Sequence, residues 1–356
     1  MGYYVFAFIV AMTLSYILTP FAKKIAYKIG AIDVPGDNRR IHKEPIPRIG
    51  GLAIYIGFVV TTFITAMAFR GLLHIDKELI GILLGATIIV LMGIVDDCKQ
   101  ISAKTKLMGQ IIAALLAVYS GVRIEFITNI LNRTTGISEL KGLSLPVTIF
   151  WIVGITNTVN LIDGLDGLAA GVSSIAALSL AYVAHLNTET SIGVSIILII
   201  LAGSLLGFLP YNFNPAKIFM GDTGSLLVGF ILATVSVGGV IKSATTIAVA
   251  IPVLALGVPI FDTTFAIIRR LLNGRPIMEA DKGHLHHRLL AYGLSQKQTV
   301  LILYFISGLF GASAIVVSDT SKLGAYLILV GVSLGVLLGA IRMGLVKKAQ
   351  EGKANS

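Results

Sequence analysis

Leu79-Ile-Gly-Ile-Leu-Leu-Gly-Ala-Thr-Ile-Ile-Val-Leu-Met-Gly-Ile-Val95 carries no charge, and Asp96-Asp97 closes it. A run of this length matches the ~30 Å hydrocarbon core of a bilayer, which takes about 17–25 helical residues to cross. Working outward, similar runs lie near 3–22, 50–69, 107–122, 147–162, 168–186, 192–209, 224–240, 246–268, 298–317 and 323–341. Over 356 residues, hydrophobic side chains make up 55% and charged ones 13%, with mean hydropathy +0.89. Soluble chains carry about 25% charge and could not cover this much apolar surface. The expected fold is an all-α polytopic membrane protein with about 11 transmembrane helices. Collagen-like, coiled-coil and disordered classes fall away on the same numbers. The lone Cys98 excludes an internal disulfide and a cysteine metal cage.

The 28 Lys and Arg against 18 Asp and Glu leave +10. On a membrane protein that excess points to cytoplasmic loops before it points to nucleic acid. No basic residue precedes the first run, whereas Lys23, Lys24 and Lys28 follow it. That is the reverse of a cleavable signal, so a retained helix with its N-terminus outside is expected. Alternating sides from there leaves only Arg70, Lys77, Arg123, Arg133, Lys141, Lys242 and Lys322 outside, and puts the C-terminus in the cytoplasm. Residues 1–343 read as a single integral membrane domain and 344–356 as a basic cytoplasmic tail beside anionic lipid. No internal repeat is apparent. The outer segment 123–146, with Gly136 and Gly142, is expected to form a small hairpin. Its Asn132-Arg133-Thr134 sequon matters only in a secretory compartment.

Against this scarcity of charge, the acids stand out. Asp96, Asp97, Asp163, Asp166 and Asp222 all fall at expected cytoplasmic ends, Asp262 lies inside the ninth run, and Asp33 and Asp37 sit in the first cytoplasmic loop. A single acid at a helix end ordinarily just faces water; at least five on one face make a functional set. In Asn160-Leu-Ile-Asp-Gly-Leu-Asp-Gly167, the two carboxylates share a face if helical, and the glycines suggest a break where backbone approaches a ligand. Hard oxygen donors without cysteine favour Mg²⁺ or Mn²⁺ over zinc. In Asn214-Pro-Ala-Lys-Ile-Phe-Met-Gly-Asp-Thr-Gly-Ser225, a glycine-flanked loop opens an apolar helix. It suits either phosphate on the helix amides, with Asp222 holding a metal, or an ordinary cap.

Lys282-Gly-His-Leu-His-His-Arg288 follows the ninth run, with Arg269, Arg270 and Arg275 nearby. The spacing of His284, His286 and His287 does not stack all three on one helix face, and the surrounding cations favour a polyanion over zinc. Asp262 reads either as a functional acid or as a buried partner of Arg269. The basic first loop, Asn38 to Gly51 with Lys43, is either a solvated loop or a substrate lid. Cys98 and Trp151 pack or anchor.

Taken together, the motifs resemble the polyprenyl-phosphate N-acetylhexosamine-1-phosphate transferases, glycosyltransferase family 4. That family includes the bacterial lipid I synthase and the enzymes that start O-antigen, enterobacterial common antigen and teichoic acid synthesis. The matching stretches are Pro47-Arg-Ile-Gly-Gly51, Asp96-Asp97, Lys106-Leu-Met-Gly-Gln110, Asn157-Thr-Val-Asn-Leu-Ile-Asp-Gly-Leu-Asp-Gly-Leu168, Phe219-Met-Gly-Asp-Thr-Gly-Ser225 and His284-Leu-His-His287. The resemblance implies that Asn160 and Asp222 ligand Mg²⁺, with Mn²⁺ as a substitute. It implies catalytic parts for Asp96, Asp97, Asp163 and Asp166. Substrate contacts are implied for Asp33, Lys43, Lys106, Asn157, Asn214, Arg269, His284, His286, His287 and Arg288. Leu285 interrupts the histidines, as in the N-acetylglucosamine-type branch.

The implied reaction transfers N-acetylglucosamine-1-phosphate from a UDP-sugar to undecaprenyl phosphate, releasing UMP. A phosphate monoester has its second pKa near ~6, so direct attack with Asp96 as weak base or positioning group is favoured over a covalent Asp96 intermediate. The nearest alternative is a lipid I synthase-type enzyme using UDP-MurNAc-pentapeptide. A rival of another class is an ion-coupled secondary transporter, but its acids would sit near the midplane within repeats. Expected partners are the UDP-sugar, undecaprenyl phosphate and membrane lipid, with no nucleic acid; a homodimer is left open. The expected location is the inner (plasma) membrane, with the active site facing the cytoplasm.

Overall fold

Small residues at helical spacing let long apolar helices of this chain approach closely. The computed structural model describes residues 1–34, 45–128, 137–186, 192–239, 249–276 and 283–342. In order these form α1 (Gly2–Ile29), β1 (Ile32–Asp33), β2 (Ile46–Pro47), α2 (Gly51–Ala68), α3 (Lys77–Lys99) and α4 (Ala103–Ser120). Then come β3 (Phe126–Thr128), β4 (Ile137–Glu139), α5 (Ser144–Ile162), α6 (Leu168–Leu186), α7 (Ile192–Asn212) and α8 (Gly221–Gly239). The chain continues through α9 (Ala250–Ala255), α10 (Gly257–Leu272), α11 (Leu285–Ala291), α12 (Gln296–Ser318) and α13 (Lys322–Arg342). Among the described residues, nine helices are long and apolar enough to cross a bilayer. The protein is a multi-pass, all-α membrane protein.

α1 buries Ala7, Ala11, Ser15, Thr19, Ala22 and Ala26, a stripe of small side chains. α7 answers with Gly203 and Gly207, whose Cα atoms approach the backbone at Phe8 and Met12. Such pairing replaces the hydrophobic driving force that is missing between helices in lipid. α8 is the centre: every residue from Thr223 to Val237 is buried, as expected of a helix apolar on all sides. α5 is fastened to it by Trp151, whose Nε1 donates to Ala233 O and Ser236 Oγ at 3.3 Å each. α13 buries only Ala325 and Ala340 among its described residues and lies at the edge of the bundle.

Two helix starts converge where the acids gather. A Cβ at Gly93 of α3 would strike the backbone of Thr223, and one at Gly51 of α2 would strike Gly224. At the other end of α3, Glu78 reaches Gly238 of α8 and Gly121 beyond α4. α3 and α8 are therefore antiparallel.

Two expectations are met differently. The expected hairpin in 123–146 exists as antiparallel β3 and β4, with Phe126 opposite Glu139; the sequon lies outside the described residues. The single helix expected over 246–268 is instead α9 and α10, separated at Leu256. Pro259 cannot donate to the carbonyl four residues back, so the helix restarts with proline in its first turn. α4 begins with Lys104 and Lys106 and falls outside the nine apolar helices.

Candidate active site

Asp96 and Asp97 lie in the last turn of α3, and both are buried. Neighbours on a helix point about 100° apart, so the structure gives them different partners. Asp97 turns to α8 and accepts from Asp222 N at 3.0 Å, Thr223 N at 3.0 Å and Thr223 Oγ1 at 2.7 Å. It thereby caps a helix other than its own. Of the α8 amides, which suited either phosphate or a cap, those of Asp222 and Thr223 are taken by this carboxylate. Gly221 makes the approach feasible: its φ is +70° and a Cβ there would collide with Arg48 O.

Asp96 accepts from Ile101 N at 2.9 Å, and its other oxygen faces Lys106 Nζ at 2.7 Å. The same ammonium donates to Asp222 Oδ2 at 2.7 Å. Asn160 Nδ2 donates to Asp222 Oδ1 at 3.1 Å and to Ser225 Oγ at 2.8 Å. Asp96, Asp97 and Asp222 have ligand oxygens all within 4.8 Å of one another. Behind them, Arg48 reaches Asp97 at 3.5 Å and Asp33 at 3.8 Å, and the β1–β2 pair sets Asp33 opposite Ile46.

The link between α5 and α6 does break at its glycines. Asp163 ends α5; surrounding protein, with negative Asp222 and Asp97 near it, pushes its carboxyl up to about 7. Asp166 has a different job. It accepts from Asn214 Nδ2 at 2.9 Å and Ala216 N at 3.0 Å, holding the segment that leads into α8. Asn214 also donates to Gln296 Oε1 at 2.7 Å. Asn157 is engaged by Gln110 in a reciprocal amide pair at 2.6 and 3.2 Å, which ties α4 to α5. In the described geometry, Asp166, Asn214 and Asn157 act on the frame of the site.

The histidines form a row despite their spacing, because His284 precedes α11 instead of lying in it. The His284 and His286 rings stack at 5.8 Å, and His286 and His287 lie 4.3 Å apart. His286 abuts Gly164, one residue from Asp163, so this row joins the carboxylate end of the bundle. Burial first, then His287, lowers the His286 imidazole to about 3. Arg269 packs its guanidinium over Gly283, and Arg288 Nε donates to Gly283 O at 3.2 Å. Asp262, read either as a functional acid or as a partner of Arg269, binds His284 Nδ1 at 2.8 Å and Leu285 N at 2.7 Å with its carboxylate. α10 presents its own side chains across to α11, a contact that spacing along one helix cannot reveal.

Of the expected residues, Asp96, Asp97, Lys106, Asn160 and Asp222 meet directly, and Asp163 and the histidines border them. Lys43 lies outside the described residues. Arg48 and Gln110 join the site without being marked by the sequence beyond the motifs Pro47–Gly51 and Lys106–Gln110 that contain them, whereas Thr223 and Ser225 are cap candidates at the start of α8.

Residues 79–240 match the family model described as glycosyl transferase family 4. Over 317 residues the chain is 47% identical to the probable undecaprenyl-phosphate N-acetylglucosaminyl 1-phosphate transferase of Bacillus subtilis (strain 168), covering 89% of this chain and 86% of that protein. It is 35% identical over 353 residues to the decaprenyl-phosphate N-acetylglucosaminephosphotransferase of Mycobacterium leprae (strain TN), covering 93% and 86%. A phospho-N-acetylmuramoyl-pentapeptide-transferase of Bacillus cereus (strain AH187) is 31% identical over 323 residues, covering 87% and 94%.

Proposed function

We propose that this chain, which belongs to glycosyl transferase family 4, transfers N-acetylglucosamine-1-phosphate from UDP-N-acetylglucosamine to undecaprenyl phosphate and releases UMP. The observation that carries the reading is the convergence of Asp96, Lys106 and Asp222 at one bundle end bordered by the histidine row. The lipid phosphate oxygen attacks the sugar-bearing phosphorus, and the bond from that phosphorus to the bridging oxygen breaks. UMP leaves with the electron pair of that bond.

The donor set fits Mg²⁺: the carboxylates of Asp222 and Asp96 are hard oxygens, with no sulfur among the gathered groups, and Asn160, whose Nδ2 donates to Asp222, carries an amide oxygen of the same kind. When bound, Mg²⁺ would offset the negative charge of the reacting phosphates. Lys106 supplies a fixed positive charge, Asp96 orients the lipid phosphate, and Asp97 keeps the start of α8 in place. Arg269 and Arg288 receive the nucleotide sugar as donors to its phosphate oxygens, and the row of His284, His286 and His287 meets its remaining polar groups. The excess of Lys and Arg in alternate loops supports a site on the cytoplasmic face of the plasma membrane, with residues 1–343 as one catalytic unit. Such a product starts an envelope polymer.

The test is UMP release from purified protein, undecaprenyl phosphate and UDP-N-acetylglucosamine, with and without Mg²⁺. Mg²⁺-dependent release is expected, with UDP-MurNAc-pentapeptide as the comparison substrate. Absence of release from any UDP-N-acetylhexosamine rejects the reading.

A further inference from the structure

Asp262 spends both carboxylate oxygens on consecutive groups: the ring of His284 and the backbone N–H of Leu285. Both partners lie more than twenty residues away in sequence and on a different element. Both side chains are buried, that of Asp262 at 4% exposure and that of His284 at 6%. A buried carboxylate in a chain this poor in charge needs a purpose, since desolvation costs several kcal/mol before any partner is found. Its position follows from the break at Leu256. The restart at Gly257 gives α10 its own direction, and Asp262 lies one turn and a half inside it. Arg269, its helical neighbour, packs on Gly283.

An ionised carboxylate only accepts, so the proton of His284 sits on Nδ1 and Nε2 is the ring nitrogen turned from the clamp. Among the described residues no hydrogen bond engages Nε2. The ring also stacks on His286, with 9° between planes, which fixes its tilt as the clamp fixes its rotation. Residues that orient a ligand-facing imidazole act through its second nitrogen.

We propose that Asp262 is a positioning residue for the nucleotide sugar: it fixes the tautomer and rotation of His284, leaving Nε2 as an acceptor for a hydroxyl or N–H of the ligand. The proposal rests on the reading that the histidine row receives the UDP-sugar. Asp262→Asn is the informative variant. Its side-chain oxygen still accepts from Leu285, so α11 begins in the same place. Its NH₂ then faces Nδ1, which must accept, and the proton moves to Nε2.

Two measurements test this on the full-length protein in detergent. With ¹⁵N-labelled histidine, magnetic resonance should show the His284 proton on Nδ1 in the wild type, assigned by its loss in His284→Ala, and on Nε2 in Asp262→Asn. UDP-N-acetylglucosamine binding should weaken about tenfold in Asp262→Asn, in keeping with the ~10–100-fold effects of residues that orient a ligating histidine. It should weaken similarly in His284→Ala, and by less than about twofold more when both are combined. Turnover at saturating substrate should change far less than affinity. An unchanged tautomer in Asp262→Asn overturns the clamp. Additive losses overturn action through His284. A shifted tautomer with normal affinity in both single variants overturns the role in binding and separately rejects the histidine row as the nucleotide-sugar site.

Discussion

Lys106 sets the charge balance at the reacting end, because its ammonium lies 2.7 Å from both Asp96 and Asp222. Asp96 can act on the lipid phosphate only through its oxygen facing that ammonium, since the other is taken by Ile101 N. Asp96→Asn keeps the shape and removes the charge. Turnover should fall by about 100-fold or more, the scale of a positioned acid–base group, with UDP-N-acetylglucosamine affinity within about twofold of normal. UMP release and equilibrium binding, measured side by side, check this; near-normal turnover removes Asp96 from the mechanism. Asp97 should behave differently. Asp97→Ala strips the acceptor from three buried donors on α8, and each orphaned donor costs about 1–3 kcal/mol. Thermal unfolding should drop sharply for Asp97→Ala and much less for Asp96→Asn. Equal losses would contradict the division of the pair. Both acids were legible in the sequence as a tandem; their division was not, because it depends on which neighbouring helix lies beyond each carboxylate. Arg48 and the Asp262–His284 contact were hidden for the same reason.

Helix contacts carry that geometry, and glycine decides the closest of them. Gly93 lets α3 touch the backbone at Thr223, whereas Gly154 of α5 has nothing within 4 Å of where a Cβ would stand. Gly93→Val should push α3 from α8, part Asp97 from its donors and lower both melting temperature and UMP release. Gly154→Ala should leave release intact and hold or raise the melting temperature, since alanine favours a helix by about 1 kcal/mol over glycine. Thermal scans of the two variants decide the matter; equal effects would mean that close approach at Gly93 is not limiting. α11 offers a pH test. The folded His286 imidazole titrates at about 3, below ~6.5 in the unfolded chain. Between those values the unfolded state binds the extra proton, so stability is full above about pH 6.5 and declines as pH falls, by at most ~1.4 kcal/mol per pH unit. His286→Gln should flatten the melting temperature between pH 7.5 and 5; an unchanged slope means that His286 is not the group responsible.

Across the whole molecule, apolar length was the most legible feature, because nothing but a helix satisfies the backbone of such a run in lipid. From α1 to α8 the expected spans and the helices agree closely. The ninth span failed at Pro259, where hydropathy stays high but the hydrogen-bond ladder cannot continue. Sidedness rests on the loops. Lys99 and Lys322 are exposed near the ends of α3 and α13, on opposite sides by the alternation of the eleven spans expected from the sequence. With Cys98→Ser removing the native thiol, cysteine placed at either position reports its side to a membrane-impermeant maleimide. Lys322→Cys should label in intact cells and Lys99→Cys only after the membrane is opened. The active-site acids share the end of α3 that carries Lys99, so this pair of labels also locates the chemistry. Labelling of Lys99→Cys in intact cells would place the site outside, where a cytoplasmic nucleotide sugar does not reach it.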